Sequence, residues 1–380
     1  MTSADPQLKE RLSRAVDLAP LEIERRLREL HDASGRRSAT RRIGTIAFAL
    51  GLAVLALAAA WRLFPLGPRE RSVAGDSSPS GRIAYMLATV DMVGSGDRID
   101  LYWVDADTEN VSPLLEGPDI AISPSWSPDG SQVAFAMDEP GGSAYDLYVM
   151  NADGSDLLHV GGGTVRSAAW SPDGTSIAYT DLLTTQDNPD SAGVYVVAAD
   201  GSGAHQILRG YWESVSWSPD GARLLLAGHP ANEEHACPPE CGDLYTVAPD
   251  GTGLLRLTAD DPYEHVASWS PDGSRIAFGR SDDPDDAAYE TDVYVMNADG
   301  TGATRFTDWP GFDSYPTWSP DGAWIAFASD RGATEAQQQG NAALESFAGV
   351  SVWLMRSDGS GLRMLVDGGQ QAAAPSSWKA

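Results

Sequence analysis

The sequence predicts an all-β chain dominated by a closed six-bladed β-propeller, and three observations carry that prediction. The pentapeptide Trp-Ser-Pro-Asp-Gly occurs five times, beginning at Trp126, Trp170, Trp217, Trp269 and Trp318, at spacings of 44, 47, 52 and 49 residues. Each copy opens a frame of four short runs rich in β-branched and aromatic residues, bounded by Asp-Gly and other glycine turns, which is the signature of strands joined by hairpins. The two ends of the array carry complementary fragments of one more unit. Four-stranded units of roughly 40–50 residues read as propeller blades rather than as a helical solenoid.

The frame is clearest at Trp269 to Gly273, followed by Arg275 to Phe278, Asp292 to Met296, the turn Asn297 to Gly300, and Ala303 to Phe306. In the turns, Pro presets φ, Asp bonds its own backbone and Gly accepts positive φ at no steric cost. The repeated Trp is expected to wedge between neighbouring blades and to build the fold rather than perform chemistry. At the start of the array, Ser78 to Tyr85 matches the turn and second strand, and Asp100 to Asp107 the third; a first strand and its Trp are missing. Ala374-Pro375-Ser376-Ser377-Trp378 supplies them, resembling Ser123-Pro124-Ser125-Trp126. One blade is thus shared between the ends, which removes the open sheet edge of a linear array. Five whole units and this composite one make six.

These residues resemble the TolB-like six-bladed propellers, whose blades read WSPDG, IAF, DLYVMNADG and a Leu-Thr strand. Asp146 to Gly154 reads DLYVMNADG without a change, Leu257-Thr258 and Phe306-Thr307 fit the fourth strand, and Ser329 to Gly332 fits the exit of a second strand. The resemblance covers about 300 residues and implies fold more than function, because one fold hosts many activities. In TolB an α/β domain precedes the propeller and engages other envelope proteins; here only Leu63 to Ser77 stands between an apolar segment and the first blade, so that role is not carried over. Related peptidases pair such a propeller with a hydrolase domain, and no Gly-x-Ser-x-Gly elbow occurs in this chain.

The first 77 residues are of another kind. Ile43 to Ala60 is an uncharged run of 18 residues, with Trp61 at its far edge. As a helix it spans roughly 27 Å, close to the ~30 Å hydrocarbon core of a bilayer. Arg36, Arg37, Arg41 and Arg42 crowd its N-terminal side, which places the N-terminus in the cytoplasm and the propeller outside. The rival is a cleaved signal peptide, with Ala58-Ala59-Ala60 as the small-residue site; both readings export the propeller. The expected plan is a cytoplasmic segment 1–42, a transmembrane helix 43–62, a linker 63–77 and a propeller 78–380. Residues 18–32 read as a short amphipathic helix, with Ile23, Leu27 and Leu30 on one stripe. It either sets topology or docks on a cytoplasmic regulator.

Charge divides at the same boundary. Residues 73–380 carry 13 Lys and Arg against 46 Asp and Glu. So acidic a domain repels phosphate backbones, which excludes nucleic acid as a partner. Many of these Asp residues belong to the repeated turns, and the remainder suits basic partners or cations.

The only cysteines, Cys237 and Cys241, close a five-residue loop; on the oxidising side of a membrane they are most simply a local disulfide. His229, Glu233, Glu234 and His235 lie beside them in no metal-binding spacing, so no metal site is assigned. Asp282, Asp283, Asp285 and Asp286 crowd another loop with hard oxygens of the kind calcium takes, without the spacing of an EF-hand loop; a solvated acidic loop is the simpler reading. Such second-to-third-strand loops share one face of a propeller, where recognition is expected of protein or peptide partners. The positions five and four before each Trp read Ala121/Ile122, Val165/Arg166, Trp212/Glu213, Glu264/His265, Asp313/Ser314 and Ala373/Ala374. Arg166, Glu213, His265 and Asp313, with Trp212 as an apolar wall, are the candidates for holding a small polar ligand or a peptide end at the channel mouth; the plainer alternative is a ring of hydrated residues.

The functional expectation is a membrane-anchored extracytoplasmic propeller that binds proteins or ligands, with no catalytic residues assigned. The alternative is a transmembrane sensor signalling through residues 1–42, a plan that resembles membrane-anchored anti-sigma factors. Their zinc type needs a His and a Cys pair in the cytosolic part, where this chain has His31 and no Cys. A propeller hydrolase or lyase requires two channel residues at catalytic distance with shifted pKa values.

Overall fold

Each Trp-Ser-Pro-Asp-Gly copy folds as a self-bonded turn. Ser127 Oγ donates to Asp129 Oδ1 (2.7 Å) and accepts from the Gln132 amide (2.9 Å), while Asp129 Oδ1 accepts from the Ser131 amide (3.0 Å). Gly130 closes the turn at φ 73°, where a residue with a Cβ is strained. The same serine-to-aspartate bond recurs at Ser171, Ser218, Ser270 and Ser319. Hydrogen bonds hold two of these carboxylates in their charged form: the Ser131 amide first, for Asp129, and the Ser270 hydroxyl first, for Asp272, lower each to about 2.

The computed structural model describes residues 78–89, 98–117, 120–138, 145–182, 191–231, 242–259, 263–281, 290–333, 349–369 and 372–380. Among the described residues no helix is long and apolar enough to cross a membrane. The expected helix 18–32, span 43–62 and linker 63–77 lie outside them, as do Cys237, Cys241, Asp282, Asp283, Asp285 and Asp286.

Strands β1 (Arg82–Thr89), β2 (Arg98–Asp105) and β3 (Val111–Leu115) form one antiparallel sheet with the last strand, β23 (Ala372–Lys379), in the order β23-β1-β2-β3. Arg82 pairs with Lys379 and Ile83 with Trp378, so the two ends do close one blade. Four consecutive strands make each of three further sheets. These are β4 (Ala121–Trp126), β5 (Gln132–Asp138), β6 (Tyr145–Asn151) and β7 (Leu158–Gly162); β15 (Tyr263–Trp269), β16 (Arg275–Ser281), β17 (Asp292–Asn297) and β18 (Thr304–Arg305); and β19 (Asp313–Trp318), β20 (Trp324–Ser329), β21 (Ser351–Arg356) and β22 (Arg363–Val366).

The remaining strands depart from the expectation of six separate four-stranded sheets. Strands β8 (Val165–Trp170), β9 (Ser176–Asp181), β10 (Gly193–Ala198), β11 (His205–Trp217), β12 (Leu224–Pro230), β13 (Asp243–Val247) and β14 (Leu255–Arg256) form a single seven-stranded sheet. The cause is β11, which runs for 13 residues. Its first part, His205 to Arg209, pairs with β10, and its second, Gly210 to Trp217, pairs with β12. An outermost strand therefore continues directly as the next innermost one.

The core fills the gaps between neighbouring units. Trp318, Ile325 and Phe327 pack against Ala277, Val293 and Val295 of the preceding sheet, and Trp269 covers a cluster of Leu225, Ala227 and Leu244 with Ile276 and Phe278. The repeated Trp is thus the wedge that the sequence suggests. Burial of an aromatic of this kind stabilises by about 3–5 kcal/mol against truncation to Ala. Arg275 lies over the Trp318 ring at 4.6 Å, a cation–π contact. The threonine of the Leu-Thr motif and its counterparts fastens the outer edge of a blade. Thr307 Oγ1 accepts from the Val293 amide (2.9 Å) and donates to Asp292 (3.1 Å), tying the two-residue strand β18 to β17.

Candidate functional site

Every innermost strand breaks register against its neighbour. Relative to the adjacent strand, β8 has Arg166 extra, β11 has Glu213 and β15 has Val266. The break falls at Ser123-Pro124 in β4, at Tyr315-Pro316 in β19 and at Ser376 in β23. Such bulges re-aim side chains and recur beside functional sites. Ser123, Val266 and Tyr315 take φ of 53, 37 and 56°, a region that residues with a Cβ seldom occupy.

The six innermost strands surround a channel of about 510 Å³. One end is ringed by the turn prolines Pro128, Pro172, Pro219, Pro271 and Pro320, with Lys379 at the seam; Arg166, Glu213 and Tyr315 line the other. Between them the wall is largely serine and small apolar side chains. Several of those hydroxyls stitch one strand to the next: Ser123 Oγ donates to the Arg166 carbonyl (2.6 Å), Ser268 Oγ to that of Pro316 (2.8 Å), and Ser167 Oγ accepts from the Val215 amide (3.2 Å). The end bearing Arg166 and Glu213 is the one at which second strands finish, since Val165 pairs with Asp181 and Tyr263 with Ser281.

Charge at this mouth is held in place. Tyr263 Oη donates to Glu213 Oε2 (2.8 Å), and the Tyr263 ring stacks on His265 at 5.1 Å. His265 Nδ1 lies 3.3 Å from Ser314 Oγ, so the linked groups cross three consecutive innermost strands, β11, β15 and β19. Burial pushes the His265 imidazole down to about 4 and keeps it neutral at pH 7. Burial, then the Glu213 carboxylate, raises the Tyr263 phenol well above its ordinary value. Arg166 is only 8% exposed. Burial lowers its pKa, while Tyr211, Tyr145, Glu213 and Tyr315 act in the opposite direction.

Of the five expected mouth residues, Arg166 and Glu213 line the channel and the other three do not. The bulge at Glu213 turns Trp212 away, and its indole is fully buried between units, edge-on to Tyr245 at 5.4 Å. Gly228 makes room for it; a Cβ there would come within 2.9 Å of Trp212 Cα. His265 sits behind Tyr263 as a buried support. Asp313 is buried in an ion pair with Arg331, whose guanidinium lies over Trp309, Phe327 and Trp353 at 5.7, 5.4 and 5.4 Å. Burial outweighs that pairing and raises the Asp313 carboxyl to about 6. A hydrated ring therefore does not describe these positions: apart from Glu213, they are buried. The residue that sequence reasoning missed is Tyr315; counting back from Trp318 assumes one register for all strands, and the bulge in β19 shifts it.

The family described as TolB beta propeller domain matches residues 74–286 and 264–352, most of the chain. The protein belongs to the TolB β-propeller family. The Tol-Pal system protein TolB of Polaromonas sp. is 42% identical to it over 60 residues, 16% of this chain and 13% of that protein. The matched stretch thus spans well under two thirds of such curated TolB relatives. TolB from Acinetobacter baumannii superposes with a TM-score of 0.61 at 19% identity, covering 80% of this chain and 67% of the other. A chain of the nidogen/laminin complex gives 0.54 at 11% identity, covering 78% and 100%. Identities this low show the shared fold alone, as expected where one TolB-type scaffold serves unrelated proteins.

Proposed function

We propose that this TolB-family propeller is a protein-binding scaffold of the cell envelope, carried outside the cytoplasm by a membrane span at residues 43–62, and that it receives partner segments at the channel mouth formed by Arg166, Glu213 and Tyr315. The observation that carries the reading is the mouth itself, a rigid wall of bulged strands bearing two opposite charges on an otherwise hydroxyl-rich and apolar lining. In this reading the seven-stranded sheet counts as two blades that share β11, which makes six. Binding fits the supports of the mouth, because His265 and Asp313, two buried groups with displaced pKa values, stand behind the wall, while Arg166, whose pKa burial also lowers, lines the channel as a fixed charge. Concave sites with a few fixed polar groups are where ligands are expected, and the loops leaving that end would extend the surface.

The test is photo-crosslinking from position 315 of the full-length protein in its native membrane, repeated on a version lacking residues 2–35. Capture of exported proteins that survives the deletion is the expected result. Capture of a cytoplasmic regulator that disappears with the deletion would replace the scaffold by a transmembrane sensor.

A further inference from the structure

Tyrosines from four of the sheets gather at the bulged end of the channel. Tyr145 opens β6, Tyr211 lies in β11, Tyr263 opens β15 and Tyr315 sits in the bulge of β19. All four are half-buried. Arg166 stands within electrostatic reach of Tyr211, Tyr145 and Tyr315, and Tyr263 within reach of Tyr211 and Tyr315. Three of the rings are backed by a second ring: Tyr211 by His229 at 5.8 Å, Tyr263 by His265 at 5.1 Å and Tyr315 by Phe312 at 6.1 Å. Tyrosines held in this way offer a large contact area and lose little freedom on binding.

The two charges on the lining at this end are answered inside the protein. Glu213 accepts from Tyr263 and acts on Arg166, so neither calls for a charged atom from a ligand. Charge enters instead from the rim. The segments joining second to third strands, 90–97, 139–144, 182–192, 231–242, 282–291 and 330–350, leave at this end, as the pairing of Asp138 with Tyr145 and of Asp181 with Gly193 requires. They hold 16 Asp and Glu and a single Arg, Arg331, itself paired with Asp313. The mouth is aromatic within and acidic around, which suits a segment that is apolar in its middle and basic at its flanks. A segment in the polyproline II conformation brings proline rings to pack on aromatic side chains, and it arrives already extended, with little conformational freedom left to lose. Resting on the reading of this end as the binding mouth, we infer that it receives an extended, proline-bearing peptide segment flanked by Lys or Arg, with Tyr145, Tyr211 and Tyr315 as the packing surface and the acidic rim meeting the flanking charges.

The probe is a peptide of Pro-Pro-Ala repeats with arginines at both ends. Its affinity for the full-length protein in detergent is read by fluorescence anisotropy, and photo-crosslinking from position 315 places it. Three relatives are compared: Gly-Ser-Ala repeats between the same arginines, the proline repeats between glutamates, and the neutral oligosaccharide chitohexaose. The expected result is capture of the probe at position 315, binding about tenfold weaker once the prolines are replaced, weaker binding again with glutamate ends, and an affinity for the arginine-ended peptide that falls as salt is raised. Tyr145→Leu and Tyr211→Leu should each weaken the probe several-fold and leave its salt dependence unchanged. Should either variant fail to fold, the peptide series on the wild type still decides. Equal affinity for the proline and glycine-serine peptides, a preference for glutamate ends, or binding of the probe without capture at position 315 overturns the inference. So does capture there of chitohexaose in place of the probe. An exported protein crosslinked at position 315 through a segment with neither proline nor Lys or Arg also overturns it, while leaving the mouth as a protein-binding site; one crosslinked through a proline-bearing basic segment supports it. Where position 315 captures neither peptide nor exported protein, the reading of the mouth fails and the inference with it.

Discussion

At one end of the channel five turns repeat a single hydrogen-bond scheme, Ser to Asp to backbone amide; at the other, the six innermost strands present Arg166, Glu213, Val266, Tyr315 and serines with no repetition at all. The first end is made of local bonds within a few residues, so every unit can copy it. The second is set by where each strand slips against its neighbour: β8 and β11 slip at one position relative to their Trp, β4 and β19 at another, and β15 and β23 each at its own, while the residues placed there differ. A propeller can therefore hold its scaffold constant at the turns while varying what the opposite mouth displays.

Cutting the chain before β23 is the severest test of the closed scaffold. Loss of residues 372–380 strips β1 of one of its two partners and exposes the cluster around Ile83 and Tyr85; a loss of more than about 4 kcal/mol in denaturant unfolding is expected. Trp318→Ala and Trp212→Ala come next, each costing about 3–5 kcal/mol. Because Trp212 lies in the core, its loss should lower thermal stability without a selective effect on peptide affinity at the mouth. A variant that stayed equally stable yet lost the ligand would move Trp212 back to the channel.

The supports behind the mouth should titrate in opposite senses. The folded pKa of His265 falls from 6.5 to about 4, so its contribution is present above the unfolded value and is lost as pH drops from about 6.5 towards 4. That of Asp313 rises from 3.8 to about 6, so its contribution is full below the unfolded value and is lost as pH climbs through about 6. NMR titration of the two side chains should give midpoints near these values, and a His265 midpoint near 6.5 would put that ring in water. The smallest effect belongs to the repeated end: Ser127→Ala breaks one turn out of five and should cost about 1 kcal/mol in a chemical melt. Asp129, held at about 2, favours the fold above pH 4 and ceases to do so as pH falls through 2.

Periodicity alone placed the strands, because a five-residue motif with Trp, Pro, Asp and Gly fixes a turn by bonds among its own atoms. Complementary end fragments told that β23 would join β1, since the missing first strand of one unit stood at the far end of the chain. The family was equally legible in the run from Asp146 to Gly154. The fusion at β11 was not, because nothing in His205 to Trp217 marks whether the chain bends between units or runs straight through. Nor was the side on which Trp212, His265 and Tyr315 fall. Along a strand the facing alternates with every residue, so one extra residue in a bulge exchanges wall for core. That choice depends on pairing with the neighbouring strand and on space such as Gly228 provides. Sequence by itself determined the repeated turns, through bonds within a few residues, and the pairing of β1 with β23, through complementary end fragments; only the tertiary packing decided how the strands group into sheets and which charges reach the channel.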